Sequence, residues 1–541
     1  MKIKAAQSVL LTGELLHLIF SEFNHQDDLF SCLLINSLWA MTIVRVLWKK
    51  PIWKTHDSYR RWLRTLRSTH ATFEYGKMVQ RLAFKPYPRC GRDKYQFSEL
   101  KYIASHCRNV KHIEFYCLHG TFEPTNVSTF IRTLSGLISF STDASWQPAL
   151  DTTLMPIAEG SCPKLTHLEI PGNGDTDRCS WLLQRIGERC PRIVLLKTRW
   201  EIRGSKLAQI IVTSFPNLET LICRTVSYEG LRILLPGCRK LKHFDFTFSM
   251  ELNDEMSLSI APIFPMLEVF SLRIFGRNNF PLFMSTWAQN QNQLREISLS
   301  LGEGLTDDSF LPITQYCQNL ESITLWWCNG FSDLAFESLA RNRNSGIKRL
   351  HFYHVKDLTD VGLTAIADHC PKLQELQLIH CESLTQTSLV KIARDCKNLV
   401  TFTAEFCSRR YNWQMTAAFL FTLANRNRGT LEVLKFHDRN TCITEVEAYD
   451  KHRFDSLLLD RLAMRSLMKF RNLEYLTIYP GENARRQHLE KLQTHRRLKN
   501  VLFYFGNIDD MKMYFQDLNK RQKGGLYAEF WPGSFITLNS E

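Results

Sequence analysis

An apolar phrase of the form L-x-x-L-x-L returns about every 26 residues along three quarters of this chain. Few architectures accept such a rhythm. Frames begin at Val110, Leu137, Leu165, Ile193, Leu218, Leu241, Leu267, Leu294, Leu320, Ile347, Leu373, Leu399, Leu431, Leu473 and Leu498. The clearest copy runs Cys370-Pro-Lys-Leu373-Gln-Glu-Leu376-Gln-Leu378-Ile-His-Cys381. The third position after each start is apolar in every frame, as at Ile113, Leu168, Phe270, Ile323, Leu350 and Leu434. Alternation within the phrase predicts a short strand, and the segment between phrases carries helical spacing. In Leu358–Cys370, Thr359 or Asp360 is placed to cap a helix whose inner face is Leu363, Ile366, Ala367 and Cys370. One such unit cannot bury its own apolar edge, so successive units must stack into a solenoid.

Period and phrase together match the leucine-rich repeat. The predicted fold is an α/β leucine-rich-repeat solenoid, a curved parallel sheet with outer helices, preceded by a small all-helical module. The expected boundaries are 8–48 for that module, 49–77 for a basic helical linker, 78–505 for the repeats and 506–541 for a C-terminal cap. At 541 residues the chain exceeds what one ordinary core can organise, a limit that stacking avoids. Frame spacing loosens after Leu399 and again after Leu431, which predicts loops around 409–413 and 438–455. The sixteen cysteines follow the register rather than a disulfide or zinc pattern. Cys107, Cys162, Cys190, Cys238, Cys317, Cys370 and Cys396 each precede a frame by three residues. Cys328, Cys381 and Cys407 follow one by eight, and Cys223 takes a strand core position. They read as small buried side chains. No metal is expected, the nearest ligand-like group being Cys90, His106, Cys107, His112, Cys117 and His119.

Residues 8–48 fall outside the repeat. Leu15, Leu16, Ile19 and Phe23 are spaced for a helix, and Leu29, Leu33 and Leu34 for a second one, with Trp39 and Trp48 beyond. This is more apolar surface than about 40 residues can bury among themselves. The string resembles an F-box: Glu14-Leu15-Leu16, Ile19-Phe20, an Asp28-Leu29 helix start, an apolar run and Trp39. It departs at Thr12, where the family favours proline, and at Ile35-Asn36, where Val-Cys is common. An F-box followed by cysteine-bearing leucine-rich repeats resembles the substrate receptors of SCF-type (cullin–RING) ubiquitin ligases. The resemblance implies binding of a Skp-type adaptor through Leu11, Leu15, Leu16, Ile19, Phe20, Leu29, Leu33 and Trp39.

The net charge is +14, and residues 49–94 supply most of it, thirteen Lys/Arg against Asp57, Glu74 and Asp93. A solvated basic helix and an electrostatic dock for an acidic partner or nucleic acid are both open for this segment. No apolar stretch reaches the ~18–20 residues of a membrane span. Val9–Phe20 carries Glu14 and His17 and lacks a cleavage signature. An intracellular protein, cytosolic or nuclear, is expected.

No G-x-S-x-G, phosphate-loop, H-E-x-x-H or G-x-G-x-x-G motif is present, so no catalytic residue and no cofactor are predicted. The repeats offer a surface instead. In each frame, offsets two, four and six point to the concave sheet face. Those positions include Lys197, Arg199, Arg224, Arg273, Trp326, His351, Tyr353, Lys435, His437, Tyr475 and Tyr479. Exposed Trp, Tyr and Arg dominate binding hot spots, and the basic, aromatic character suggests an acidic or phosphorylated protein target. The leading expectation is a non-catalytic substrate receptor. A repeat scaffold that no longer binds adaptor, a nucleic-acid binder using 49–94 and a regulator of a small GTPase are the alternatives.

Overall fold

The computed structural model describes residues 13–21, 26–53, 55–84, 97–116, 123–142, 150–170, 176–248, 253–274, 281–300, 305–341, 346–406, 417–438, 465–478, 500–504, 527–531 and 535–539. The chain forms two compact units, Met1–Leu241 and Lys242–Glu541. Both are built from strand–helix repeats in parallel register, so the fold is the leucine-rich-repeat solenoid.

The first unit opens with helices α1 (Gly13–Ser21), α2 (Gln26–Cys32) and α3 (Ser37–Lys49). Leu16, Phe20, Leu29 and Ile43 form their shared core, with Leu33, Leu38 and Trp39 packed against it. The Trp39 ring meets Phe20 edge to face at 5.1 Å. Asn36 is explained locally: its side chain accepts from Trp39 N at 2.9 Å and caps α3.

Helix α4 (His56–Arg67) is fixed by a reciprocal Thr55–Ser58 capping box. It buries His56, Tyr59, Trp62, Leu63 and Leu66 and leaves Arg60, Arg61, Arg64 and Arg67 exposed. Trp48, at the end of α3, stacks on Tyr75 at 4.2 Å and on Trp62 at 5.9 Å. Trp53 packs on Trp62 and Phe84. The basic segment is thus an aromatic wedge between the N-terminal helices and the first strand, with its charges on the outer side. Strands β1 (Arg81–Phe84), β2 (His112–Phe115), β3 (Ser139–Thr142), β4 (His167–Glu169), β5 (Leu195–Lys197), β6 (Glu201–Ile202) and β7 (Thr220–Val226) follow. Pairing is parallel from β1 to β5, and both β5 and β6 pair with β7.

The second unit carries β8 (His243–Phe248), β9 (Val269–Ile274), β10 (Glu296–Ser300), β11 (Ser322–Trp326), β12 (Arg349–Tyr353), β13 (Glu375–Ile379), β14 (Thr401–Phe406), β15 (Val433–Asp438), β16 (Tyr475–Ile478) and β17 (Asn500–Tyr504). Each pairs in parallel with the next. Strand β18 (Tyr527–Trp531) keeps the direction of β17, and β19 (Phe535–Asn539) reverses it, lying antiparallel on both β17 and β18. The frame leucines are inside: Leu373, Leu376, Leu378 and Cys381 are fully buried, as are Leu363, Ile366 and Cys370 of the helix before them.

Hydrogen bonds between repeats account for much of the sequence between frames. The Asp333 carboxylate accepts from Thr359 N (2.9 Å), Thr359 Oγ1 (2.5 Å) and Gly362 N (3.0 Å) of the following repeat. A Cβ at Gly362 would sit 2.6 Å from that carboxylate, so glycine is required for the approach. Asp307 does the same for Ser332, and Asp360 for Thr385 and Ser388. Thr359 caps its own helix by accepting from Val361 N, whereas Asp360 serves the next one. The cysteines form a second ladder: Cys190 Sγ lies 3.4 Å from the Cys162 carbonyl and Cys381 Sγ 3.6 Å from that of Phe352. The eleven cysteines whose side chains are described are free thiols, and all but Cys32 are buried. Of the ligand-like cysteines and histidines, Cys90, Cys117 and His119 lie outside the described residues, and no metal-binding cluster occurs among the described ones.

Candidate functional site

Two kinds of surface stand out, an apolar one on the N-terminal helices and the open face of the strands within each unit. On α1, Leu16 and Phe20 face the core while Leu15, Leu18 and Ile19 form a second apolar stripe in solvent, with Leu18 61% exposed. Phe30, Leu34, Ile35 and Met41 are exposed as well, Leu34 at 92%. A three-helix module this small thus leaves seven large apolar side chains exposed, which marks an interaction surface. The residues expected to contact an adaptor therefore divide. Leu15 and Ile19 are exposed, Leu33 and Trp39 are half-buried, and Leu16, Phe20 and Leu29 hold the module together. Leu11 and Thr12 lie outside the described residues. Leu18, Phe30 and Met41 were not singled out from sequence, and Leu34 and Ile35 were named only within the apolar run, because spacing alone does not say which of two apolar stripes faces inward.

The second surface is the open face of the sheet. Cations there are committed to acids on neighbouring strands. In the first unit Arg81 pairs with Glu114, Lys197 with Glu169, and Arg224 lies 3.9 Å from Glu201. Arg199 is exposed just beyond β5. In the second unit Arg273 donates to both carboxylate oxygens of Asp245 at 3.0 and 3.2 Å. Arg349 reaches across β11 to Glu296 and donates to Ser322 Oγ at 3.3 Å. The free basic character expected of this face is largely cancelled by partners that alternate along the strands.

Register brings Trp326, His351 and Tyr353 together on β11 and β12. Trp326 lies flat on Tyr353, centroids 3.7 Å apart and planes at 5°, and Tyr353 OH donates to Gln377 Oε1 at 2.7 Å. His351 Nε2 is 3.4 Å from Glu375, and burial pushes the imidazole's pKa below its ordinary value despite that carboxylate. Lys435 is exposed on β15, three strands from His351 in the same row, and Tyr475 is half-buried on β16. The backbone of His437 belongs to β15. Its side chain, and Tyr479 altogether, lie outside the described residues.

A second row of rings runs beside the first. Trp327, His354 and His380 follow the ends of β11, β12 and β13 with φ of 54°, 54° and 57°. Each N–H donates to the next strand, to the carbonyls of Tyr353 (2.8 Å), Ile379 (2.7 Å) and Glu405 (2.6 Å). Trp327 stacks on His354 at 4.6 Å, and His354 lies 4.3 Å from His380. His380 Nε2 is 3.9 Å from Glu405 Oε1. Glycine or asparagine would meet this left-handed turn at least cost, and large side chains there are strained by ~1–3 kcal/mol each. Retaining Trp and His at three consecutive turns places ring beside ring. This row was not singled out from sequence, because its residues stand just past the strand phrase, as His354 does after β12 ends at Tyr353. The doublet Trp326-Trp327 and the rings seven residues after the frame starts Leu320, Ile347 and Leu373 were the available signals.

No family model matches the chain. Among solved structures it is similar to the complex of Rad7 and Elc1 in yeast, at 16% identity and TM-score 0.46, over 72% of this chain and 92% of that one. It is also similar to the leucine-rich repeat-containing protein LegL7 from Legionella pneumophila, at 13% identity and TM-score 0.31, over 56% of this chain and 97% of that one.

Proposed function

We propose that this chain is a non-catalytic substrate receptor of a cullin–RING ubiquitin ligase, working in the cytosol or nucleus. Its N-terminal helices act as an F-box that holds a Skp-type adaptor, and its repeats hold a target protein. The observation that carries the reading is the second apolar stripe of the N-terminal module, Leu15, Leu18 and Ile19 together with Phe30 and Leu34, in solvent beside a complete core. A contiguous exposed apolar face of this kind marks a protein-interaction site. The receptor contributes proximity: tethering raises the effective concentration of a target lysine near a conjugating enzyme, and no side chain of this chain enters the transfer. Trp48, stacked between Tyr75 and Trp62, would keep the module in a fixed pose on the first strands.

The test is co-expression of the full chain with a Skp-type adaptor, followed by size-exclusion chromatography. A one-to-one complex is expected. Leu18→Asp and Ile19→Asp should abolish it without lowering the thermal midpoint, since both side chains are already in water. Leu29→Asp is the wrong probe, because Leu29 is buried and its loss would unfold the module itself. An adaptor that fails to co-elute with wild type, or that still binds both exposed-face variants, would refute the assignment.

A further inference from the structure

Among the described residues, each indole at the end of β11 is stacked by a ring from the β12 side. Tyr353 lies under Trp326 and His354 under Trp327, both partners belonging to β12 or the turn after it. The opposite face of Trp326 therefore looks towards β10, where its register partner is Ser300 and Ser298 stands one step back, opposite Thr324. These side chains are too short to cover an indole. Trp326 and Trp327 are 36% and 43% exposed, with centroids 6.4 Å apart and planes tilted by 40°. The result is a two-indole wall over a floor of hydroxyls, pinned from behind by stacked rings and by the Trp327 N–H to Tyr353 carbonyl bond. A wall fixed before binding loses little entropy when a ligand arrives.

Charge narrows the choice of occupant. Arg273 is held by both oxygens of Asp245, and Arg349 by Glu296 and Ser322. With its neighbouring cations committed, the wall has no ready partner for a phosphate or an acidic peptide. With the carboxylates committed, it has none for an arginine, and none to grip the hydroxyl pairs of a sugar. What it offers is flat apolar surface and hydrogen-bond donors, the serine hydroxyls and indole N–H groups. A polyproline II segment presents the complement: apolar rings, carbonyl acceptors and few N–H donors of its own. We propose that the Trp326–Trp327 wall is the docking site for a proline-rich extended segment of a partner protein. This deepens the receptor reading and rests on it only for the identity of that partner as a target.

The probe is fluorescein-labelled decaproline, titrated against the full chain by fluorescence anisotropy. Decamers of alternating Gly-Ser, of glutamate and of phosphoserine-Gly serve as comparisons, and unlabelled maltoheptaose as a competitor. Decaproline should bind at least about tenfold tighter than the Gly-Ser decamer, and Trp326→Ala or Trp327→Ala should each weaken it about tenfold or more. Ser300→Leu, which fills the space before the wall and removes nothing from it, should also block binding. Thermal midpoints of the variants establish that each is folded. Decaproline binding no tighter than Gly-Ser, binding that survives loss of both indoles, preference for an acidic decamer, or displacement by maltoheptaose would each overturn the proposal. Adaptor co-elution is read separately, so either reading can fail while the other stands.

Discussion

Burial sets the chemistry of several side chains more firmly than their charged neighbours do. His112, His243 and His351 all have pKa values below the ordinary imidazole range, with burial as the leading cause in each; Arg81 adds to it at His112, while Asp245 and Glu375 oppose it at His243 and His351. An unfolded imidazole takes its proton near pH ~6.5. Below that point the unfolded chain binds more protons than the folded one. The stabilisation is therefore complete above pH ~6.5 and is lost as pH falls from there through the lowered folded values. The thermal midpoint should drop between pH 7.5 and 5, and His351→Gln should flatten the slope. A midpoint constant over that range would contradict this. Glu114 acts in a lower window: burial pushes its pKa up, but bonds from Tyr116 and Arg81 outweigh this and leave it depressed. Residue types on the open sheet face were legible in the sequence, but their electrostatic state was not. Arg273 looks free until Asp245, 28 residues away, is brought beside it.

At the scale of the element, the joint between successive repeats deserves a direct measurement. Asp333 takes three hydrogen bonds from the next repeat, and Asp333→Ala would leave the amide N–H groups of Thr359 and Gly362 without their partner. Hydrogen bonds to a charged group are each worth ~1.5–3 kcal/mol, less what water recovers at a half-exposed site. A loss of ~2–4 kcal/mol is expected, concentrated in the helix Asp360–His369 and visible as faster amide exchange there than in the helix Gln386–Asp395. Uniform exchange along the array would show that the joint carries no such weight. The Thr-Asp phrase was readable as a helix start, and Thr359 does cap its helix. The job of Asp360 was hidden because its partners, Thr385 and Ser388, lie a full repeat downstream. In the N-terminal module the helices were likewise legible, whereas the inward stripe on α1 depended on where α3 lies.

For the molecule as a whole, the period was the most legible feature, because every buried frame leucine repeats the same local demand. Of the insertions around 409–413 and 438–455, expected as loops, Asp438 ends β15 and the rest lie outside the described residues. The thiols give a readout that reports on both units at once. Burial pushes Cys107, Cys162, Cys317, Cys370, Cys381 and Cys396 up to about 12, and Cys190 and Cys238 to about 11. Alkylation requires thiolate. At pH 8 these eight should resist maleimide in the folded chain and react in step with denaturant unfolding, counted by mass spectrometry. Rapid labelling of any of them in native buffer would mean that its repeat opens independently.

The Asp joint has a consequence for how such a chain can change length. Asp307 meets Ser332, Asp333 meets Thr359 and Asp360 meets Thr385, each with the same carboxylate-to-hydroxyl and carboxylate-to-amide geometry. Excising the stretch from Ser332 to Leu358 would bring Asp307 opposite Thr359, a hydroxyl where it already expects one. Gene-level loss or duplication of one whole unit between these points would find matching chemistry on both sides of the scar. The array can thus be spliced like links of one gauge, with its reach free to vary while the fold stays the same.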